Sequence, residues 1–179
     1  MDDIEFKLIE AVQDRHWWWI GRRRIIERLI RKFCAGSRRL HIADVGSGFG
    51  ANIPLLKQFG DVTALEPSAE AVAKLNRIWS GDSDVRALQW TSPEPVAERF
   101  DLILLADVLE HIADDDAAVD WIWRHLTPGG HAILTVPAHI HLWTEMDEVV
   151  HHHRRYNRDS LSRLFERRFS LRRLSYYNL

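Results

Sequence analysis

The stretch Leu40-His-Ile-Ala-Asp-Val-Gly-Ser-Gly-Phe-Gly50 constrains this chain most, because an apolar run flowing into closely spaced glycines builds a nucleotide-binding turn. Leu40 to Val45 reads as a buried strand, and Ala51 to Phe59 as the helix that follows. Between them, Gly46, Gly48 and Gly50 let backbone approach a ligand without Cβ obstruction, so the ligand meets a helix N-terminus. A second apolar run, Val62-Thr-Ala-Leu-Glu66, ends in a carboxylate, where a βαβ unit places an acceptor for ribose hydroxyls.

The type of ribose cofactor is a separate question, since Gly46-x-Gly48-x-x-Ala51 also satisfies the Ala-ended dinucleotide fingerprint. Asp44 decides between the two. At the end of the strand its carboxylate repels a pyrophosphate, whereas a ligand ammonium gains a charge-assisted bond there. S-adenosylmethionine carries such an ammonium and no phosphate. The plainer alternative is that Asp44 caps the turn.

The remaining chain reads as one helix and then an alternating βα series, which means a parallel sheet covered on both faces. Ile20, Ile25, Ile26, Leu29, Ile30 and Phe33 fall at helical spacing, with Gly36 as a stop. Ser68 caps a helix to about Trp79, Asp84 to Trp90 is the third strand, and Phe100 to Leu105 the fourth. Asp114 to Leu126 is a helix, Thr127 to Gly130 a turn, and His131 to Val136 the fifth strand. Asn157 or Asp159 opens a last helix through Arg167, and Phe169 to Leu174 is expected as a sixth strand.

With 179 residues, 46% of them hydrophobic and 28% charged, the composition suits one domain of ordinary usage. The single cysteine, Cys34, excludes an intramolecular disulfide. No apolar run approaches ~18 residues, and the expected location is cytoplasmic. A net charge of −2 argues against a nucleic-acid partner.

In order along the chain, Asp44-Val-Gly-Ser-Gly-Phe-Gly50, Glu66, Asp107-Val-Leu-Glu-His111 and Leu126-Thr-Pro-Gly-Gly130 resemble the signatures of class I S-adenosylmethionine-dependent methyltransferases. The chain is most similar to the small bacterial branch related to ubiquinone-biosynthesis methyltransferases, whose aromatic-Arg opening is matched by His16-Trp-Trp-Trp-Ile-Gly-Arg-Arg23. A downstream Val136-Pro-Ala…Trp143…Asp147…His152-x-Arg-Arg-Tyr156 extends the likeness over nearly the whole chain.

The resemblance implies an α/β, Rossmann-like doubly wound fold: a mostly parallel sheet of about six strands, helices on both faces and an N-terminal helical lid. It divides the single domain into a lid over 1–36, a cofactor-binding core over 37–136 and an acceptor-side segment over 137–179. The usual seventh strand has no counterpart before Leu179, so an open edge is expected, covered by further native residues or by a partner, with a dimer through that edge as one outcome. Glu66 is expected to bind the ribose hydroxyls, with Pro67 beside it. Asp44 and the loop of Gly46, Ser47, Gly48, Phe49 and Gly50 would bind the methionine part, and Ala106, Asp107 and Val108 would line the methyl-donor side.

Two departures from the family stand out. No acid follows the third strand, where the adenine contact falls to Leu88 and Gln89, with Trp90 available to stack. The missing seventh strand is the other.

Methyl transfer is an in-line displacement that needs alignment, desolvation and sometimes a base. His111 is the first candidate for base or polar orienter, and His152 and Tyr156 belong to an acceptor-side loop with Arg154 and Arg155. Three consecutive tryptophans cannot all be core, so the segment with Trp17 is read as a lid over the cofactor or a peripheral membrane contact. Arg22, one turn beyond Trp18, is placed to reach the cofactor carboxylate. His139, His141 and His151 to His153, with Glu145 and Asp147, have no recognisable ligand spacing, and no metal is expected.

The function expected is methyl transfer from S-adenosylmethionine, giving S-adenosylhomocysteine, to a small or lipid-like acceptor, with oxygen as one candidate atom. The alternative is a cofactor-binding or interaction protein without turnover. A nicotinamide-dependent reductase is the remaining reading.

Overall fold

The computed structural model describes residues 15–177 apart from 35 and 37; the lid segment expected at 1–36 therefore lies partly outside the described residues, as does the chain end at Leu179. Helix α1, Trp17–Phe33, begins where the His16 side chain accepts from the Trp18 N–H at 3.3 Å and buries Ile26 and Ile30 completely. Strand β1, Leu40–Val45, follows and lies at the centre of the sheet.

The next element is shorter than expected. Only Ile53–Leu56 (α2) is regular helix, flanked by turns and carrying Pro54 in its first turn, in place of a helix from Ala51 to Phe59. Pro54 fits the first turn of a helix because it has no N–H to leave unbonded. Strand β2, Gly60–Glu66, runs parallel to β1 with Leu40 opposite Gly60 and Val45 opposite Leu65. Helix α3, Ala69–Ile78, is capped by Ser68, whose Oγ accepts from the Ala71 N–H at 3.3 Å. Strand β3, Val85–Gln89, pairs with β2, and β4, Phe100–Ala106, with β1. Helix α4, Asp115–His125, leads into β5, Leu126–Thr135.

The sheet order is β3-β2-β1-β4-β5, all parallel. Strand β4 shows why both faces are covered: Leu102 and Leu104 join Ile26, Ile30 and Leu56 on one side, while Ile103 and Leu105 join Trp121, Ile122 and Phe165 on the other.

One sequence expectation is corrected at β5. Thr127 to Gly130 form a bulge inside the strand instead of a turn before it: Phe100 faces Leu126, and Leu102 already faces His131. Asp101 holds the bulge by accepting from Thr127 Oγ1 at 2.8 Å, as well as from the Arg38 guanidinium at 2.7 and 3.0 Å.

The sixth strand expected at Phe169 to Leu174 is not formed, so among the described residues the sheet has five strands and not six. Phe169 closes the last helix (α6, Arg158–Glu166), donating its N–H to the Phe165 carbonyl at 2.9 Å and packing its ring 5.5 Å from Phe165. Beyond it the chain is held by side chains and forms no ladder with β5. Tyr176 stacks on His139 at 4.7 Å and its hydroxyl accepts from the Arg158 N–H at 3.1 Å, while Tyr177 lies 5.8 Å from Trp18.

Gly60 is required by a close approach. A Cβ there would lie 1.9 Å from the Leu40 carbonyl oxygen, inside the β1–β2 pairing. Gly60→Ala should therefore destabilise the protein by about 3 kcal/mol or more in urea unfolding, above the usual overpacking cost because the obstacle is backbone. A loss below about 1 kcal/mol would mean that the two strands slide apart freely.

Candidate active site

The carboxyl ends of the parallel strands, where such sheets place ligands, open on a cavity of about 1050 Å³. Its floor is the turn after β1. Gly46 adopts φ +62 and sits so close to Val108 that a Cβ would meet Val108 Cγ2 at 2.6 Å. The Gly46 N–H donates to the Leu65 carbonyl at 2.8 Å, which curls the loop over the end of β2.

Glu66 completes that curl. One carboxylate oxygen accepts from the Gly48 N–H at 2.8 Å and the other from the Ser68 N–H at 3.0 Å, so this buried acid clamps the glycine loop to the start of α3. Burial still pushes its pKa up, with both amide bonds acting against the shift. Each oxygen keeps a lone pair for a hydroxyl ligand.

Asp44 lies one layer below the lining residues and is 1% exposed. Asn52 Nδ2 reaches its Oδ1 at 3.5 Å, and Oδ2 has no partner, as is true of the buried Ser47 Oγ. Desolvation pushes the Asp44 carboxyl up to about 7. An unpaired buried acid of this kind is stabilised by an arriving cation.

Across the cavity, Asp107 adopts φ +58 at the end of β4. Its Oδ1 accepts from Thr135 Oγ1 at 2.7 Å, and its Oδ2 is bonded to the Arg22 guanidinium of α1. Arg22 lines the cavity, with its charge shared with Asp107 and its Nε left without a partner. The next turn, Leu109–His111, is a 3₁₀ helix that brings Glu110 and His111 to the wall. Glu110 is fully buried, and neither carboxylate oxygen has a hydrogen-bond partner. His111 stands edge-on to His152 at 4.6 Å, and burial lowers its pKa to about 4.

His152 comes from the segment after α5, Glu145–Val149. Its Nδ1 is 2.8 Å from Asp147 Oδ1, and the same carboxylate takes a forked bond from Arg155 at 2.7 and 2.9 Å and the Thr144 N–H at 2.8 Å. These partners hold Asp147 well below the usual carboxylate range against the cost of its burial. Tyr156 lines the cavity with its ring and donates its hydroxyl to Asp115 Oδ2 at 2.9 Å.

Gly46, Ser47, Gly48, Phe49, Glu66, Pro67, Ala106, Asp107, Val108, His111, His152 and Tyr156 thus converge on one space. Gly50 and Asp44 support the loop from beneath without lining the cavity. Trp17 points away, 64% exposed, while Trp18 and Trp19 form part of the wall. Leu88 and Gln89 also lie outside the lining; Gln89 Nε2 donates to the Pro67 carbonyl at 3.2 Å. Trp90, 6% exposed, does border the cavity; it packs 4.8 Å from Trp121, and its indole donates to the Glu94 carbonyl. Glu110 received no role from sequence, although its position in Asp107-Val-Leu-Glu-His111 was plain; only the fold reveals that its side chain is buried without a partner.

Asp44→Asn checks the electrostatics of the site. A raised folded pKa makes Asp44 a stabilising contributor at low pH whose contribution is lost as pH rises from about 3.8 to about 7. The variant should gain roughly 1–3 kcal/mol of stability at pH 8 and little at pH 4, read from urea unfolding at both. His111 acts in the opposite sense, adding stability as pH rises from about 4 to 6.5. A variant no more stable than the parent at pH 8 would mean that Asp44 is solvated.

A family model of a methyltransferase domain matches residues 18–168. The ubiquinone biosynthesis O-methyltransferase of Cronobacter sakazakii is 28% identical over 148 residues, covering 75% of this chain and 60% of that protein, so the chain spans somewhat over half of this relative's length. Among solved structures, the N-methyltransferase NodS of Bradyrhizobium japonicum in complex with S-adenosyl-l-homocysteine superposes with a TM-score of 0.59 at 21% identity, over 72% of this chain and 71% of that one. Phosphoethanolamine N-methyltransferase 2 of Haemonchus contortus in complex with S-adenosyl-L-methionine gives a TM-score of 0.69 at 22% identity, over 83% and 36%. With the glycine loop, the acidic end of β2 and the Asp107 to His111 turn set around one cavity, and the family model matching along most of the chain, the protein belongs to the methyltransferase-domain family.

Proposed function

We propose that the cavity binds S-adenosylmethionine and that the chain transfers its methyl group to a small or lipid-like acceptor. The observation that carries this is the pairing of a glycine loop with Glu66 at the mouth of β1 and β2, facing an apolar space larger than one ligand needs. The residues fit the cofactor: Glu66 offers free lone pairs to ribose hydroxyls, and the buried Asp44 and Ser47 have polar atoms awaiting a partner.

S-adenosylmethionine supplies an electrophilic methyl on a cationic sulfur. The chain's own part is alignment and exclusion of water. Trp18 and Trp19 supply aromatic rings that suit a cation, and Leu142, Met146, Val150 and Leu161 add apolar wall beside them. Burial lowers the pKa of His111 to about 4, which suits a neutral ring that orients the acceptor's nucleophile, by hydrogen bond or through an ion held on it, better than a charged acid. Tyr156, committed to Asp115, braces the acceptor-side segment. The O-methyltransferase names of the curated relatives favour an oxygen nucleophile. Among the described residues no helix is long and apolar enough to cross a membrane.

Calorimetric titration with S-adenosylmethionine and S-adenosylhomocysteine tests the donor site, and S-adenosylhomocysteine release on a panel of phenols, catechols and amines tests turnover. Glu66→Gln should weaken donor binding by about 1.5–3 kcal/mol, the range for a hydrogen bond to a charged group. Unchanged affinity in this variant would remove Glu66 from the site. Binding without turnover on any acceptor would favour the alternative, a cofactor-binding protein. His16 to Trp19 should gain hydrogen-exchange protection when donor binds if the aromatic turn is a lid; equal protection would end that reading.

A further inference from the structure

The wall of the cavity beside His111 contains a fully buried carboxylate with nothing bonded to it, a condition that costs free energy in any protein. Its surroundings indicate what would satisfy it. Ligand atoms of Glu110, His111 and His152 all lie within 4.8 Å of one another, and His152 Nε2 is 3.9 Å from Glu110 Oε1. We propose that Glu110, His111 and His152 form a binding site for a divalent transition-metal ion on the acceptor side of the cavity.

Four features argue for it. The His152 ring is oriented from behind, because Asp147 engages Nδ1 and thereby directs Nε2 toward Glu110, the carboxylate–histidine arrangement that fixes metal-binding imidazoles. Asp147 is itself fixed by Arg155 and by the Thr144 N–H, so this support is rigid. His111 is placed by the 3₁₀ turn Leu109–His111, with its ring edge-on to His152 at 4.6 Å. Glu110 also lies near two further carboxylates, Asp107 and Asp147, which are paired with Arg22 and Arg155.

Two imidazoles and one carboxylate suit zinc, manganese or ferrous iron, whereas calcium and magnesium prefer oxygen-only sets. Metal–ligand bonds of about 2.0–2.2 Å set tetrahedral ligand atoms about 3.4 Å apart, so side chains whose ligand atoms lie within 4.8 Å of one another must rotate inward to close on an ion. Asp107 is excluded from the set because Thr135 and Arg22 occupy its oxygens. Three protein ligands leave a coordination position facing the cavity, where an acceptor oxygen would be polarised; that role rests on the methyltransferase reading, while the site itself does not. The histidine-rich run is no guide to this set: His139 stacks on His141 and Tyr176, and of His151 to His153 only His152 takes part.

The test is calorimetric titration of chelator-treated protein with zinc chloride and with manganese chloride, alongside metal analysis of the protein as purified. One equivalent should bind, and His152→Ala and Glu110→Gln should each weaken binding about tenfold or more, with His141→Ala matching the parent. The bound ion should also raise the melting temperature of the parent and not of His152→Ala. If Glu110→Gln fails to fold by circular dichroism, His152→Ala and His111→Ala decide. No saturable binding, or equal binding by parent and ligand variants, overturns the site. S-adenosylhomocysteine is titrated in parallel: its binding without metal binding overturns only the metal site, and metal binding without it overturns only the methyltransferase reading.

Discussion

The bonds to Asp107 hold the site together. This residue leaves β4 in a left-handed conformation, and its carboxylate is gripped by Thr135 of β5 on one side and Arg22 of α1 on the other. Three elements far apart in sequence are thereby fixed to one turn. Trp18 and Trp19 at the start of α1 form part of the cavity wall, with Arg22, one turn further along, anchored to Asp107. The 3₁₀ turn that follows inherits its direction from the same residue, and with it the placement of Glu110 and His111.

Much of this arrangement is legible in the sequence, for reasons that are local. Leu40 to Val45 is fully specified by its apolar run and the glycines behind it, and the structure places β1 on those residues. Ser68 and Asn157 mark their helices through short-range capping bonds, which need no tertiary information. The errors arise where distant contacts decide. The bulge at Thr127 to Gly130 depends on Asp101, a partner 26 residues away, and Pro-Gly-Gly alone reads as a turn. Phe169 to Leu174 has strand-like composition, but Phe169 is captured by Phe165 and the chain is drawn away from β5 by Tyr176 and Tyr177.

The functional residues divide along the same line. The glycine loop and Glu66 are named by spacing because a single βαβ unit contains them. The cluster around Glu110 is assembled from two segments some forty residues apart, so no spacing rule describes it. Asp44 and Glu110 share a further property: each is a buried acid with at least one oxygen left without a hydrogen-bond partner, which costs stability. Such groups are kept where binding returns what folding gave up.

The tail across the cavity mouth has a different implication. Tyr176 and Tyr177 close one side of the space through a ring stack, hydroxyl bonds and a contact with Trp18, with no backbone ladder behind them. A wall fastened at the tips of side chains can be reshaped by replacing those side chains, since no strand register has to change with it. The two ends of the cavity therefore differ in how freely they can vary. The β1–β2 end is bound to the geometry of the sheet, and the wall made by Tyr176 and Tyr177 can change with their side chains alone.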